Sequence, residues 1–426
     1  MDVRTCLDKD TYPFIFMFAI ATVGFLIAVF LLDIKTEVVT IYFPYAESIM
    51  NGTIPDIEYP PFALVFITIP GIFTSSPDIY GVLFVLEAYV FFVIGLVLAK
   101  KFAEKFSKDP KLIMMVYTIM MLLMLQFLLD RYDIFPMILT MASLYCFVTK
   151  RYLLAWILIS VATMTKLYPA VIMPVYLMVM LMDREWIETV KGLFAAAAVA
   201  VLTILPFILL GSDVLSYFFG YHMDRPLQVE SLAASLIAFA AMLGMTTVHV
   251  DFGFGSDNLL GAWPDAVVQY LTPMTVVLLL GLYLFVMFIL MRIKKVGMYT
   301  EENKMAIMGL TMFAALAIFI VIGKVFSSQY MIWLIPFVLF LPLLSMDETK
   351  VKRISIIFLI SLVLTQLCFG LNYGVYDGSF EDPGMLLLLV RNLLMLFTIF
   401  ISFDLLVGYL RCRGPNGIEK GEHRNL

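Results

Sequence analysis

Apolar residues run along this chain in long unbroken stretches, and polar residues gather in short clusters between them. Tyr12 to Leu32, Tyr80 to Ala99 and Thr275 to Met291 reach or approach the ~20 apolar residues with which a helix spans a bilayer. The pattern predicts an all-α polytopic membrane protein with about 12 transmembrane helices, at 12–32, 80–99, 112–129, 134–149, 152–165, 168–182, 192–211, 266–291, 303–323, 330–346, 354–372 and 385–410. The first stretch is too long for a signal-peptide core and no small-residue cleavage site clearly follows it, so it is expected to stay as the first span.

Two further apolar runs, 60–73 and 232–243, are too short to cross and are expected as re-entrant or interfacial helices. They lie in two large loops, 33–79 and 212–265, within a single membrane domain that takes in the whole chain, 1–426. Composition fits this solvent: 62% of residues are hydrophobic and 14% charged. In soluble chains about a quarter are charged.

The net charge of −5 matters less than where Lys and Arg fall. With both ends in the cytoplasm, the basic groups Lys100, Lys101 and Lys105, then Lys150 with Arg151, Arg292 with Lys294, and Lys350 with Arg353 all lie inside. Outside remain Lys35, Arg131, Lys166, Arg225 and Lys324. All but Lys35 are set in a polar cluster that abuts a span. Cys6, Cys146, Cys368 and Cys412 show no disulfide or metal spacing and read as bystanders.

Each cluster admits a chemical reading beside a plainer one. The first outer loop holds Asp33, Glu37, Glu47, Asp56 and Glu58, either as solvating charges or as candidate general bases for a hydroxyl. Asp130-Arg131-Tyr132-Asp133 either caps a hairpin with its own ion pair or turns Arg131 toward an anion. Lys166-Leu-Tyr168-Pro169 interrupts an apolar run; its ammonium either snorkels to the surface or faces a phosphate in an outward cavity. In His222-Met-Asp224-Arg225-Pro-Leu-Gln228-Val-Glu230-Ser231, His222 is a structural imidazole or a ligand contact and Ser231 an N-cap, while Arg225 and Gln228 suit phosphate or sugar hydroxyls. Lys324, Gln329, Tyr330 and Trp333 repeat the theme, with Tyr330 and Trp333 also readable as interfacial belt residues.

No Walker loop, dinucleotide-binding glycine pattern or zinc spacing occurs, and no soluble stretch is long enough to hold a nucleotide. The energy for any reaction would therefore arrive with an activated lipid. No cofactor, metal or nucleic acid is expected.

These motifs, in their order and common sidedness, resemble the polyprenol-phosphate-sugar-dependent glycosyltransferases of the GT-C superfamily, closest to the mannosyltransferase-like family 87. The resemblance implies a GT-C-like fold and transfer of a sugar from a polyprenyl-phosphate donor to a lipid or glycan acceptor, with inversion, on the non-cytoplasmic face. It implies Glu37 first and Asp33 second as the base, and Lys166, Arg225, Lys324 and Arg131 at the donor phosphate. His222, Gln228, Glu230, Gln329, Tyr168, Tyr330 and Glu58 would contact substrate. The expected setting is a prokaryotic plasma membrane, with membrane lipids as the surroundings. The competing class is a transporter or flippase of a lipid-linked or anionic substrate, but the chain lacks a convincing internal repeat and its polar groups cluster on one side instead of at mid-depth.

Overall fold

The computed structural model describes residues 11–31, 38–211, 213–371 and 383–411. Each long apolar run is helix. Thr11–Leu31 (α1) is followed in the first loop by Phe43–Met50 (α2) and Ala63–Gly71 (α3), then by the long Pro77–Lys105 (α4). Pro110–Leu123 (α5) breaks at Met124 and resumes as Leu125–Asp130 (α6), ahead of Ile134–Val148 (α7) and Tyr152–Thr165 (α8). A 3-10 turn, Tyr168–Ile172, precedes Met173–Met182 (α9) and Trp186–Leu209 (α10). The second large loop carries Val214–Asp224 (α11) and Leu232–Met242 (α12). Ala262–Lys295 (α13), Glu301–Ile322 (α14), Met331–Phe340 (α15), Glu348–Leu371 (α16) and Pro383–Arg411 (α17) complete the bundle.

Each run that the hydropathy pattern expects as a span contains helix, with a break at Met124 inside 112–129 and 3-10 turns at Tyr168–Ile172 and Leu341–Leu343, and α3 and α12 are short, as their runs require. Among the described residues, α4, α10, α13, α14, α16 and α17 are the six helices long and apolar enough to cross a membrane unaided.

Packing sorts helices that look alike in sequence. α14 is nearly enclosed, with 89% of its apolar window buried, so it forms the axis of the bundle. α10 is equally apolar but only 11% buried; Phe194 and Leu209 are each 75% exposed, a surface that suits lipid and not water. Glycines permit two of the closest helix contacts: a Cβ on Gly95 would lie 2.0 Å from the Tyr117 hydroxyl, and one on Gly192 would lie 2.3 Å from the Trp156 ring.

Ser107, Lys150 and Arg184 end α4, α7 and α9 in left-handed conformations, with φ of 54°, 61° and 61°. In each case the next amide reaches back five residues, from Lys108 to Ala103, Arg151 to Cys146 and Glu185 to Met180, at 2.8–2.9 Å. Such a turn satisfies carbonyls that the helix end leaves open and reverses the chain within a few residues. All three turns lie at the end of the bundle that holds the basic runs. Asp183 bonds Lys304 and Tyr299 there, each at 2.7 Å.

The second large loop adds a three-stranded antiparallel sheet to the all-α expectation. Leu227–Gln228 (β1), His249–Gly253 (β2) and Ser256–Leu260 (β3) pair in the order β1-β3-β2. The strands are too short to show a period-2 pattern, and their partners come from across the loop. Leu227, Val229 and Leu259 pack with Ala234, Ala238, Leu271 and Met385 into a small core that fixes this loop to α12, α13 and α17. Ser231 caps α12 as its sequence implies, its hydroxyl accepting from the Ala234 amide at 3.1 Å.

Candidate active site

The polar clusters meet at the end of the bundle opposite the basic runs. Asp133 sits just before α7, fully buried, and its Oδ1 accepts from Lys166 Nζ at 2.7 Å and from the indole Nε1 of Trp333 at 2.5 Å. Its Oδ2 has no hydrogen-bond partner among the described residues. Lys166 ends α8 in an extended conformation, which turns its side chain out of the helix and toward this carboxylate. Its ammonium lies 4.5 Å from the ring centre of Tyr132, 5.3 Å from Trp333, 5.8 Å from Tyr330 and 6.0 Å from Tyr59, a cation held among aromatic faces. Trp333 is stacked between Tyr168 and Tyr330, with centroids 4.2 and 3.8 Å away. Lys166 is thus a paired cation in an aromatic pocket and no snorkelling lysine, and Trp333 is buried structure and no belt residue.

The first loop approaches from the other side. Tyr59 lies 4.7 Å from Tyr132, and the neighbouring Glu58 accepts from Tyr45 Oη at 2.8 Å. The Glu58 carbonyl lies 3.1 Å from His222 Nε2, which ties this loop to α11. His222 keeps a solvent-exposed edge, but the protein around its ring, and after that the positive charge of Arg225, lowers its pKa to about 4; Lys324 and Lys166 act in the same direction. The imidazole is therefore neutral at physiological pH, and the proton it keeps belongs on Nε2, the nitrogen that faces the Glu58 carbonyl.

Arg225, just beyond α11, donates from Nη2 to Ser256 Oγ at 2.9 Å, while its buried Nε has no partner among the described residues. Lys324 follows α14 and donates to the carbonyls of Met223 and Arg225 at 3.0 and 2.8 Å. Burial, then the charge of Arg225, holds its pKa below the usual lysine value. Arg131 adds its charge to the field at Lys166. Arg131, Lys166, Arg225 and Lys324, which come from four separate stretches of sequence, thus share one electrostatic neighbourhood.

Beneath them lies a buried polar network. Gln228 donates to Ser327 Oγ at 2.8 Å and accepts from the Phe326 amide at 2.9 Å. Ser328 donates to the Glu230 carboxylate, and Arg391 of α17 lies 3.6 Å from the same oxygen. Arg391, fully buried, also donates to the Glu230 carbonyl at 2.9 Å and stacks 4.1 Å over Phe326; the adjacent Asn392 reaches the same carbonyl at 3.1 Å. Gln228 and Glu230 are held by protein, and Tyr168 is only 1% exposed. Gln329 and Tyr330 sit half-buried at the rim.

Three side chains of the site have no assigned role in the sequence pattern. Asp133 stands in a charged tetrapeptide beside the more conspicuous Arg131, and Trp333 has a ready interfacial explanation. Arg391 lies within an expected span, although an arginine inside a run as apolar as 385–410 is itself a signal. Asp33 and Glu37 lie outside the described residues, as do Cys6 and Cys412.

Residues 58–313 match the sequence profile of glycosyltransferase family 87, more than half of the chain. The chain belongs to glycosyltransferase family 87. No curated protein matches it. This family 87 member is a membrane glycosyltransferase, and the matched region begins at Glu58 and takes in Arg131, Asp133, Lys166 and Arg225. Lys324, Trp333 and Arg391 fall beyond it, joined to the matched part by the hydrogen bonds just described.

Proposed function

We propose that this enzyme transfers mannose, or another hexose or pentose, from a polyprenyl-phosphate donor to a lipid or glycan acceptor at the non-cytoplasmic face. The observation that carries this reading is the gathering of Arg131, Lys166, Arg225 and Lys324 at the end of the bundle away from the basic runs: Arg131 adjoins Tyr132, whose ring Lys166 faces at 4.5 Å, Lys166 lies 5.8 Å from Tyr330 of the Lys324 segment, and Lys324 bonds the Arg225 carbonyl at 2.8 Å. A lipid phosphate is a leaving group whose tail stays in the bilayer, and a cluster of fixed cations is what its growing charge needs. Cations in a water-poor site act more strongly than the same charges in solvent.

In the proposed reaction the acceptor hydroxyl oxygen attacks the anomeric carbon and its proton passes to a carboxylate. The bond from that carbon to the phosphate oxygen breaks, and the polyprenyl phosphate leaves with the electron pair on the face opposite the attack, which inverts the centre. Glu37, and after it Asp33, is the proposed base. Glu58 and His222 line the approach from the first loop, and Gln329 and Tyr330 its far rim. Glu230, Gln228 and Tyr168 support the site from below.

The test uses purified protein in lipid nanodiscs with radiolabelled polyprenyl-phosphate mannose and a glycolipid extract. Release of polyprenyl phosphate together with labelled acceptor is expected; transfer from a nucleotide sugar alone would overturn the donor. Full turnover in both Glu37→Gln and Asp33→Asn would remove the first-loop base. A cysteine in place of Leu215 should react with an impermeant thiol reagent added outside the cell, and labelling only from the cytoplasm would reverse the sidedness.

A further inference from the structure

A hollow of about 450 Å³ opens beside the cation cluster, lined by Ser216, Tyr217, Gly220, Tyr221, Asp224 and Phe254. That volume is in the range of small-molecule sites. Its wall is one face of α11, since positions 217, 220, 221 and 224 recur at helical spacing. The opposite face carries Phe218 and His222, whose rings lie 4.6 Å apart, and so turns toward Glu58. α11 thus lies between the hollow and the contact with the first loop at Glu58.

Two features of the hollow depart from what its local structure favours. Phe254 and Gly255 form the two-residue turn between β2 and β3, with φ of 54° and 65°. Such turns favour Asn, Asp or Gly at the first place, and a bulky aromatic there is strained. Phe254 is nonetheless held in place: its carbonyl accepts from Tyr221 Oη, and its ring lies 5.3 Å from the Tyr221 ring. Backbone strain held in this way points to a role for the side chain. Gly220, in turn, has nothing within 4 Å of where a Cβ would stand, so no neighbour demands a glycine; its effect is to leave the hollow open.

We propose that this hollow binds the saccharide part of the acceptor. The aromatic groups Tyr217, Tyr221 and Phe254 offer faces to the apolar side of a sugar ring, while Asp224 and Ser216 offer acceptors and a donor to its hydroxyls. The lining itself holds no cation, and its Asp224 carboxylate offsets the nearby Arg225 and Lys324, so the hollow suits a neutral sugar better than a phosphate. The acceptor is then a glycan or glycolipid, not a bare lipid alcohol. This rests on the glycosyltransferase reading above, but not on the identity of the donor.

Saturation-transfer NMR on the full-length protein in detergent, with maltose, cellobiose and mannobiose as probes and no donor present, tests it. At least one disaccharide should receive saturation from the wild type. That signal should fall at least tenfold in Gly220→Phe, which fills the hollow, and in Phe254→Asn, which removes the platform while supplying a residue the turn prefers. Phe254→Asn should melt no lower than the wild type, so its loss of binding cannot come from unfolding. No saturation of any of the three disaccharides, or equal saturation in folded Phe254→Asn, overturns the proposal. Because no donor is present, a failure of polyprenyl-phosphate mannose to react leaves this result readable.

Discussion

Replacing Asp133 with Asn keeps the shape of the side chain and removes the charge that faces Lys166. At 2.7 Å the pair interacts by ~6 kcal/mol at an effective dielectric of about 20, partly offset by the desolvation of both groups. Breaking a buried pair of this kind typically destabilises by about 3–5 kcal/mol. Lys166 can relieve the penalty by giving up its proton. For an ordinary lysine, with a pKa of about 10.4, that costs about 4 kcal/mol at pH 7.5 and about 2 kcal/mol at pH 9. The loss of stability is thus capped near ~4 kcal/mol at pH 7.5 and should roughly halve by pH 9. Thermal unfolding of wild type and Asp133→Asn in detergent at both pH values measures this. Asp133→Asn with Lys166→Met should recover much of the loss at pH 7.5, because no buried cation is left unpaired. A variant as stable as wild type at pH 7.5, or a deficit that grows with pH, would refute the reasoning. If Lys166 serves the donor phosphate as proposed, transfer activity should be lost in every case, because a neutral or displaced Lys166 no longer meets that charge.

His222 gives a second pH signature: the unfolded chain takes up its proton near the ordinary 6.5, the folded protein only near about 4. Between those values the unfolded state binds more protons, so stability falls as pH drops through that window. His222→Gln should flatten the fall in melting temperature below pH 6.5 while changing little above it; parallel curves would show that His222 does not carry the effect. Arg391→Met leaves the buried Glu230 carboxylate without its cation and should lower stability by about 3–5 kcal/mol. Because Arg391 also holds the Phe326 segment through its stacking, Arg391→Lys should rescue stability better than donor KM; full rescue of both would confine Arg391 to a charge role. Gly192→Leu drives a side chain into the Trp156 ring and should cost about 1–3 kcal/mol, seen as a lower melting temperature, whereas Gly281→Leu on α13, with open space at its Cβ, should be neutral.

The phosphate-binding candidates were legible because a lysine or arginine abutting an apolar run is conspicuous wherever it occurs. Lys166, Arg225 and Lys324 announce themselves in this way, and their shared neighbourhood follows from the common end of the spans they adjoin. Asp133 and Trp333 were not legible as partners. They stand 33 and 200 residues from Lys166 and Asp133 respectively, and an acidic residue in a charged tetrapeptide or a tryptophan at a helix end has a plain local explanation.

Hydropathy is a property of short segments, so the sequence by itself determined that this is a helical membrane protein and where its long apolar helices lie. Family membership likewise followed from motifs that keep their order along the chain. Which of two equally apolar helices meets lipid and which forms the axis, α10 or α14, depends on neighbours that periodicity does not name. The tertiary structure alone decided that the Lys166 ammonium is met by Asp133 and ringed by aromatics, that Glu230 faces Arg391 across 161 residues, and that a strained Phe254 closes a hollow beside them. Each is a long-range pairing of polar or aromatic groups, fixed by the need to satisfy buried charge where water is scarce.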